Sequence, residues 1–235
     1  MALVVFCLLA STGRLRAGED DDARLMLFSG RDIWRHGLFS YEGLLVAPAG
    51  FDQDGLLLKI LTGGGVYGYH ANAIGSDVLG VEWLAQLLPG WRIKRGEAEF
   101  KFFMGPELQG HYLFPDDLSN RLRGELRGLR IAAELWYEPS STSMVAADLS
   151  LSSIAASNSA RAAYGWRVLE EALGGVYIGP EAQYFGSGDY RHFRLGAHIT
   201  SLKTSEYEWS AGIGFARDSD RRSGPYVRLS ILQRR

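Results

Sequence analysis

The chain has 235 residues, 25 basic and 27 acidic side chains and a formal net charge of −2, which leaves no electrostatic footprint for a nucleic-acid partner. Its 46% hydrophobic and 22% charged content excludes both a disordered tail and a bundle of apolar membrane helices. The 29 glycines, 11 Phe, 6 Trp and 11 Tyr suit strands, sheet bends and interface belts, in a soluble β-sandwich as well as in a membrane barrel.

Residues 1–10 (MALVVFCLLA) are apolar and lead through STGRLRAG to the acidic run Glu19, Asp20, Asp21, Asp22. That order predicts a signal peptide over 1–17 and an acidic linker over 18–24. No Lys or Arg precedes the apolar run, and Leu15 stands where a cleavage site after Ala17 prefers a small residue. Cys7 is the single thiol, so the chain without its leader has no disulfide, which an oxidising compartment tolerates. No later stretch offers the roughly 18 uncharged apolar residues of a membrane helix. An exported chain without such a helix stays soluble or spans as a barrel.

Residues 25–235 read as a single domain whose dominant period is two. Leu129, Ile131, Ala133, Leu135 and Tyr137 alternate with more polar neighbours, as do Val145, Ala147, Leu149 and Leu151. The pattern continues with Phe193, Leu195, Ala197 and Ile199, and is clearest for Tyr207, Trp209, Ala211, Ile213 and Phe215. Turn signals such as Pro89-Gly90, Pro115-Asp116-Asp117 and Asp218-Ser219-Asp220 punctuate the runs. They mark about twelve segments of roughly 9–13 residues, ten also being defensible, and that length crosses a tilted bilayer path. The predicted fold is all-β: a closed, antiparallel, up-and-down transmembrane β-barrel of outer-membrane type with about 10–12 strands.

Two stretches resist. Asp77–Leu88 also reads as a short amphipathic helix ending at Pro89-Gly90, and Leu169–Leu173 as a turn. A pattern G-P-E-x-Q occurs twice, at 105–109 and 179–183. Proline in a central strand removes a ladder hydrogen bond, so each is read as a bulge or strand start, with duplicated hairpins the sharper alternative.

In a membrane barrel the polar face fills the lumen; in a soluble barrel it meets water. Nearly every polar face carries charge, and Glu42, Lys59, Glu82, Lys101, Glu134, Asp148, Arg167, Glu181, Arg194, Glu208 and Arg228 are assigned to a salt-bridged lumen network. Phe28, Trp34, Tyr41, Tyr112, Phe114, Trp136, Tyr137, Tyr184, Phe185, Tyr190 and Tyr207 fall near strand ends, where interface girdles belong. The terminal segment LSILQRR lacks the closing aromatic of many such barrels.

Chemistry is sparse, and no catalytic set, metal site or cofactor site is predicted. His192 and His198 share a strand face but stand roughly 20 Å apart, too far to share a metal. A pairing of His198 with Asp148 or Ser210 would suit a barrel hydrolase. Gly63-Gly64-Gly65 lacks the Lys-Ser/Thr and the helix of a phosphate loop. Trp34, Trp136 and Trp166 are candidate glycan platforms, although Trp in a barrel more often packs or lies in a girdle.

Five blocks carry a resemblance: FSGRDIWRHGLFSYEGLLVAP (28–48), GVEWLAQLLPGWRIKRG (80–96), RIAAELWYEPSS (130–141), GPEAQYFGSGDYR (179–191) and WSAGIGFARDSDRRSGPYVRLSIL (209–232). Together they resemble the BcsS family of cellulose biosynthesis proteins, over nearly the whole chain from residue 26. The resemblance implies a role accompanying bacterial cellulose production at the outer membrane, and it brings no catalytic residues. The expected function is a non-catalytic accessory (anchor, gate or assembly factor), with outer-membrane lipid and cellulose or other secretion components as partners. The alternatives are a small general porin or sensor barrel, and an outer-membrane hydrolase acting on lipid or glycan.

Overall fold

A computed structural model describes residues 23–168, 175–188 and 190–235. The predicted signal peptide, most of the acidic linker and the 169–173 turn lie outside the described residues. Of the linker, Ala23 and Arg24 are described: Ala23 is buried, and the Arg24 amide donates to the Arg235 carbonyl at 3.0 Å.

Among the described residues twelve strands form one closed antiparallel barrel. In chain order they are β1 (Leu25–Trp34), β2 (Gly37–Val46), β3 (Gly55–Ala71), β4 (Ser76–Arg95), β5 (Ala98–Phe114) and β6 (Gly124–Ser140). There follow β7 (Ser143–Ser152), β8 (Asn158–Val168), β9 (Val176–Ser187), β10 (Tyr190–Thr204), β11 (Tyr207–Asp218) and β12 (Ser223–Arg234). Each strand pairs with its sequence neighbour, and β1 closes on β12 from Met26↔Arg234 to Trp34↔Tyr226. Closure leaves no unpaired edge, the condition for a sheet to cross lipid.

Strands β3 to β6 are longer than expected, at 17 to 20 residues. The 10-residue strands β1 and β2 just span a lipid band of about 25 Å at a tilt near 40°. β3 runs past the end of β2 on both sides, since Gly37 pairs with Tyr67 and Val46 with Leu58. The helical alternative for 77–88 is overturned. That segment is strand within β4, laddered to β3 along its length and to β5 from Leu79 to Gln86. Two ready-made partner strands outweigh its local helical period.

The polarity is that of a membrane barrel. Leu195, Ile213 and Phe215 point outward and are 69%, 62% and 67% exposed, whereas Glu107, Glu181 and His198 point inward and are 1% exposed. The apolar residues inside form separate clusters rather than a continuous core. At the rim carrying both chain termini, Phe51 of the β2–β3 connection packs with Leu45, Leu57, Leu88 and Phe103. At the opposite rim Ala71, Val78 and Leu113 cluster beneath Tyr67 and Tyr69. There the β5–β6 loop is tied in, with Tyr69 donating to Asp117 at 2.8 Å and Asn120 donating to Tyr69 at 2.8 Å. Hydrogen bonds from Ser119 and Tyr69 hold the Asp117 carboxyl below the usual carboxylate range.

Candidate functional site

Cross-strand partners share a face, so the ladder decides which charges enter the lumen. Along one continuous register Lys101 pairs with Glu134, Glu134 with Asp148, Asp148 with Arg161 and Arg161 with Gln183. Period-two alternation along β5 to β9 aims all five inward.

The side chains form a belt of two ion-paired groups, one centred on Glu134 and one on Arg161, which meet at the like-charged neighbours Glu134 and Asp148. Lys59 of β3 donates to Glu134, and Lys101 lies 2.6 Å from Glu99 and 3.9 Å from Glu134. Arg161 bridges Asp148 at 3.2 Å and Glu181 at 3.1 Å. Arg228 of β12 reaches Glu181 at 2.8 Å, and Tyr226 donates to the other Glu181 oxygen at 3.0 Å. Glu181 therefore joins β9 to β8 and, across the interior, to β12. Gly212 makes room for it, because a Cβ there would lie 2.2 Å from a Glu181 oxygen. Arg194 of β10 crosses to Asp32 of β1 at 2.5 Å. Arg130 holds Glu107 with two bonds of 2.6 and 3.0 Å, the fork geometry suited to a carboxylate.

The other predicted charges stand apart. Arg167 faces inward near the terminal rim, against Tyr177 at 2.5 Å and Glu138 at 3.7 Å. Glu208 accepts from Ser201 at 3.0 Å. Glu82 lies 3.9 Å from His111, which in turn bonds Tyr67 at 3.1 Å. Glu42 is placed differently: its register with Ser29 and Thr62, and the parity of the exposed Leu38, put it on the outer wall. Asp32, Glu99, Glu107, Arg130 and Arg161 belong to the inner network without having been assigned to it. Alternation against Leu129 and Ile131 marks Arg130 in the sequence; Asp32 has no comparable local signal.

The belt divides the lumen. A chamber of about 580 Å³ is lined by Asp32, Trp34, Tyr41, Tyr67 and Glu82, and one of about 210 Å³ by Glu99, Lys101, Trp136, Thr200 and Ser210. Glu134, Asp148, Arg161 and Arg228 border both.

The tryptophans separate. Trp34 faces the larger chamber, but its ring packs on His192 at 4.3 Å with the Arg222 guanidinium 5.8 Å over it. Trp136 points inward against Tyr177 and donates to Glu138 at 3.0 Å. Trp166 is 55% exposed on the outer wall, edge-on to Tyr164. Of the residues expected in girdles, Tyr112, Phe114, Tyr137, Tyr184 and Tyr207 face outward. Phe28, Trp34, Tyr41, Trp136, Phe185 and Tyr190 share the inward parity of their strands. Proximity to a strand end does not specify a face. His198 is not aimed at Asp148 or Ser210; its ring nitrogens bond Thr200 at 2.8 Å and the Tyr164 carbonyl at 3.1 Å.

Among solved structures, the translocator domain of the autotransporter NalP from Neisseria meningitidis is similar at a TM-score of 0.54 and 10% identity. The likeness covers 94% of this chain and 90% of that one, and it shows a shared barrel fold. The β domain of the Bordetella autotransporter BrkA (TM-score 0.48, 13% identity, 91% and 100% covered) and the KdgM porin (0.45, 10%, 88% and 98%) are more distant. Comparison with curated proteins gives no match. The family model of cellulose biosynthesis protein BcsS matches residues 26–235, which is all of the barrel but Leu25. This twelve-stranded barrel of outer-membrane type belongs to the BcsS family of cellulose biosynthesis proteins.

Proposed function

We propose that this BcsS-family barrel is a non-catalytic accessory of cellulose secretion, acting as an anchor or assembly factor in the outer membrane rather than as the polymer's conduit. The observation that carries this reading is the belt through Lys59, Glu134, Asp148, Arg161, Glu181 and Arg228, which stands between the two chambers. A glucan threading the lumen would have to part these pairs together, and each parted pair strands a charge inside the barrel. The apolar cluster around Phe51 narrows the terminal rim as well. Work on a secretion apparatus then falls to the rims and the outer wall, with lipid around the wall and secretion components as partners. A gate is the less favoured variant, since it needs the belt to open. Residues 1–17 serve in this reading as the export signal and 18–24 as a linker.

Deleting the gene and measuring secreted cellulose tests the role. Output should fall, with the chain recovered from outer membranes and shifting in gel mobility on boiling. Unchanged output overturns the proposal. Steady conductance of purified protein in planar bilayers would return the porin reading, whereas the belt predicts little current.

A further inference from the structure

The outward residues of the wall follow one rule with one exception. Along β5, β7, β9 and β10 the mid-strand outward positions are apolar or small: Phe102 and Met104, Ala147 and Leu149, Pro180 and Ala182, Leu195 and Ala197. Outward charges elsewhere, including Glu125, Arg127, Arg191 and Arg217, lie close to strand ends, where side chains reach the headgroups. On β1 to β3 the order inverts. Ser29 and Arg31, Ser40 and Glu42, and Thr62 and Gly64 occupy the middle of the wall. Leu27, Leu44 and Ile60 flank them toward one rim, and Ile33, Leu38 and Val66 toward the other.

The ladder assembles these six positions into one island. Ser29 pairs with Glu42 and Arg31 with Ser40; Glu42 pairs onward with Thr62 and Ser40 with Gly64. Arg31, Glu42 and Thr62 are exposed. Among the described residues the side chains of Arg31 and Glu42 have no hydrogen-bond or ion-pair partner. Glu42 stands mid-strand, in a β2 just long enough to span the lipid band. A charge in that position is unfavourable against hydrocarbon and is retained where it is paired or covered by protein.

We infer that the outer wall of β1–β3 is a protein interface within the membrane, and that its occupant is a second copy of this chain. The argument for a copy is charge. The island holds one cation and one anion, so a two-fold axis along the membrane normal presents each copy with the complement of its own patch. Copies in one membrane share an orientation, so such an axis keeps residues at the same depth. Arg31 and Glu42 are offset by two residues along paired strands, roughly 7 Å, which an extended arginine side chain spans. Each copy then contributes Arg31 to the partner's Glu42 and receives the reciprocal bond. Ser29, Ser40, Thr62 and Gly64 keep the surface low enough for the two walls to approach, as small residues do between membrane-spanning elements.

The test is disulfide capture in isolated outer membranes, using the full chain with Cys7→Ser so that the introduced thiol is unique. Ser40→Cys should give a homodimer on oxidation, while Ala182→Cys, on the opposite wall, should not. In the Ser40→Cys chain, Glu42→Arg alone and Arg31→Glu alone should each lose the dimer band, and the two together should restore it. Heat-modifiable mobility reports folding for every variant; if a single-charge variant fails to fold, the Ser40→Cys and Ala182→Cys pair still decides. Ser40→Cys remaining monomeric, linking no better than Ala182→Cys, or linking to a protein of different mass overturns the inference. So does a folded charge-swap chain that does not regain the band.

Discussion

The two G-P-E-x-Q segments, in β5 and β9, have one motif and two environments. Locally they match. A Cβ on Gly105 would lie 2.1 Å from the Leu87 carbonyl oxygen of β4, and one on Gly179 2.0 Å from the Tyr164 carbonyl oxygen of β8. The preceding strand presses on the glycine in both. Pro106 and Pro180 face outward, and the β4–β5 and β8–β9 ladders skip a few pairs beside them, as expected for a residue with no N–H to donate. Glu107 and Glu181 are buried, with Gln109 and Gln183 donating to them from two residues on. Beyond that they diverge. Glu107 is held by one arginine of the adjacent strand, while Glu181 collects Arg161, Arg228 and Tyr226 from two sides of the lumen. A short motif carries its own backbone distortion and its own Glu–Gln bond, but the rest of the barrel decides how many charges depend on it.

Removing the carboxylates should break the comparison most sharply. Glu181→Ala leaves two partly buried guanidiniums under-compensated and should cost about 3–5 kcal/mol, the scale of a broken buried pair. Glu107→Ala removes one forked bond and should cost about 1.5–3 kcal/mol. Urea midpoints for refolding in detergent measure both, and equal losses would show that the extra partners of Glu181 contribute nothing. Because Arg161 and Arg228 border both chambers, the Glu181 variant should also raise single-channel conductance above that of the Glu107 variant.

The residue between Glu and Gln faces lipid in both motifs, so Leu108→Arg and Ala182→Arg should each cost about 2–4 kcal/mol near the midplane and impair insertion. Outer-membrane yield would expose an error, since tolerance at either site contradicts its outward assignment. Gly105→Ala and Gly179→Ala should cost similar amounts, about 1–3 kcal/mol, because each clashes with backbone of the preceding strand. A large inequality there would mean that the two distortions are not equivalent. The smallest effect belongs to Pro106→Ala and Pro180→Ala, which face away from the lumen and donate no ladder hydrogen bond, and should stay within about 0.5 kcal/mol.

Much of this was legible in the chain. Period-two runs with apolar residues on one face and charge on the other predict a barrel, and the twelve strands and their outward Ile199, Phe215 and Leu149 follow that pattern. Alternation misleads where both faces are mixed. In GLFSYEGLLV Glu42 looks like a lumen charge, because Tyr41 and Gly43 beside it are natural outward residues; its pairing with Ser29 and Thr62 turns it the other way. The helix-like run over 77–88 became strand for a related reason, since hydrogen bonds from β3 and β5 satisfy its backbone better than a short isolated helix could.

The linear chain by itself determined the alternation that separates wall from lumen and the local geometry of each Gly-Pro-Glu. Those are interactions between residues a few positions apart, so they are written into the order of side chains. Tertiary structure alone decided which charges meet, that Glu181 reaches Arg228 across the interior, and that Arg31 and Glu42 share one island outside. Partner choice depends on barrel closure and strand register, and a one-residue change of register would send every one of those side chains to the other face.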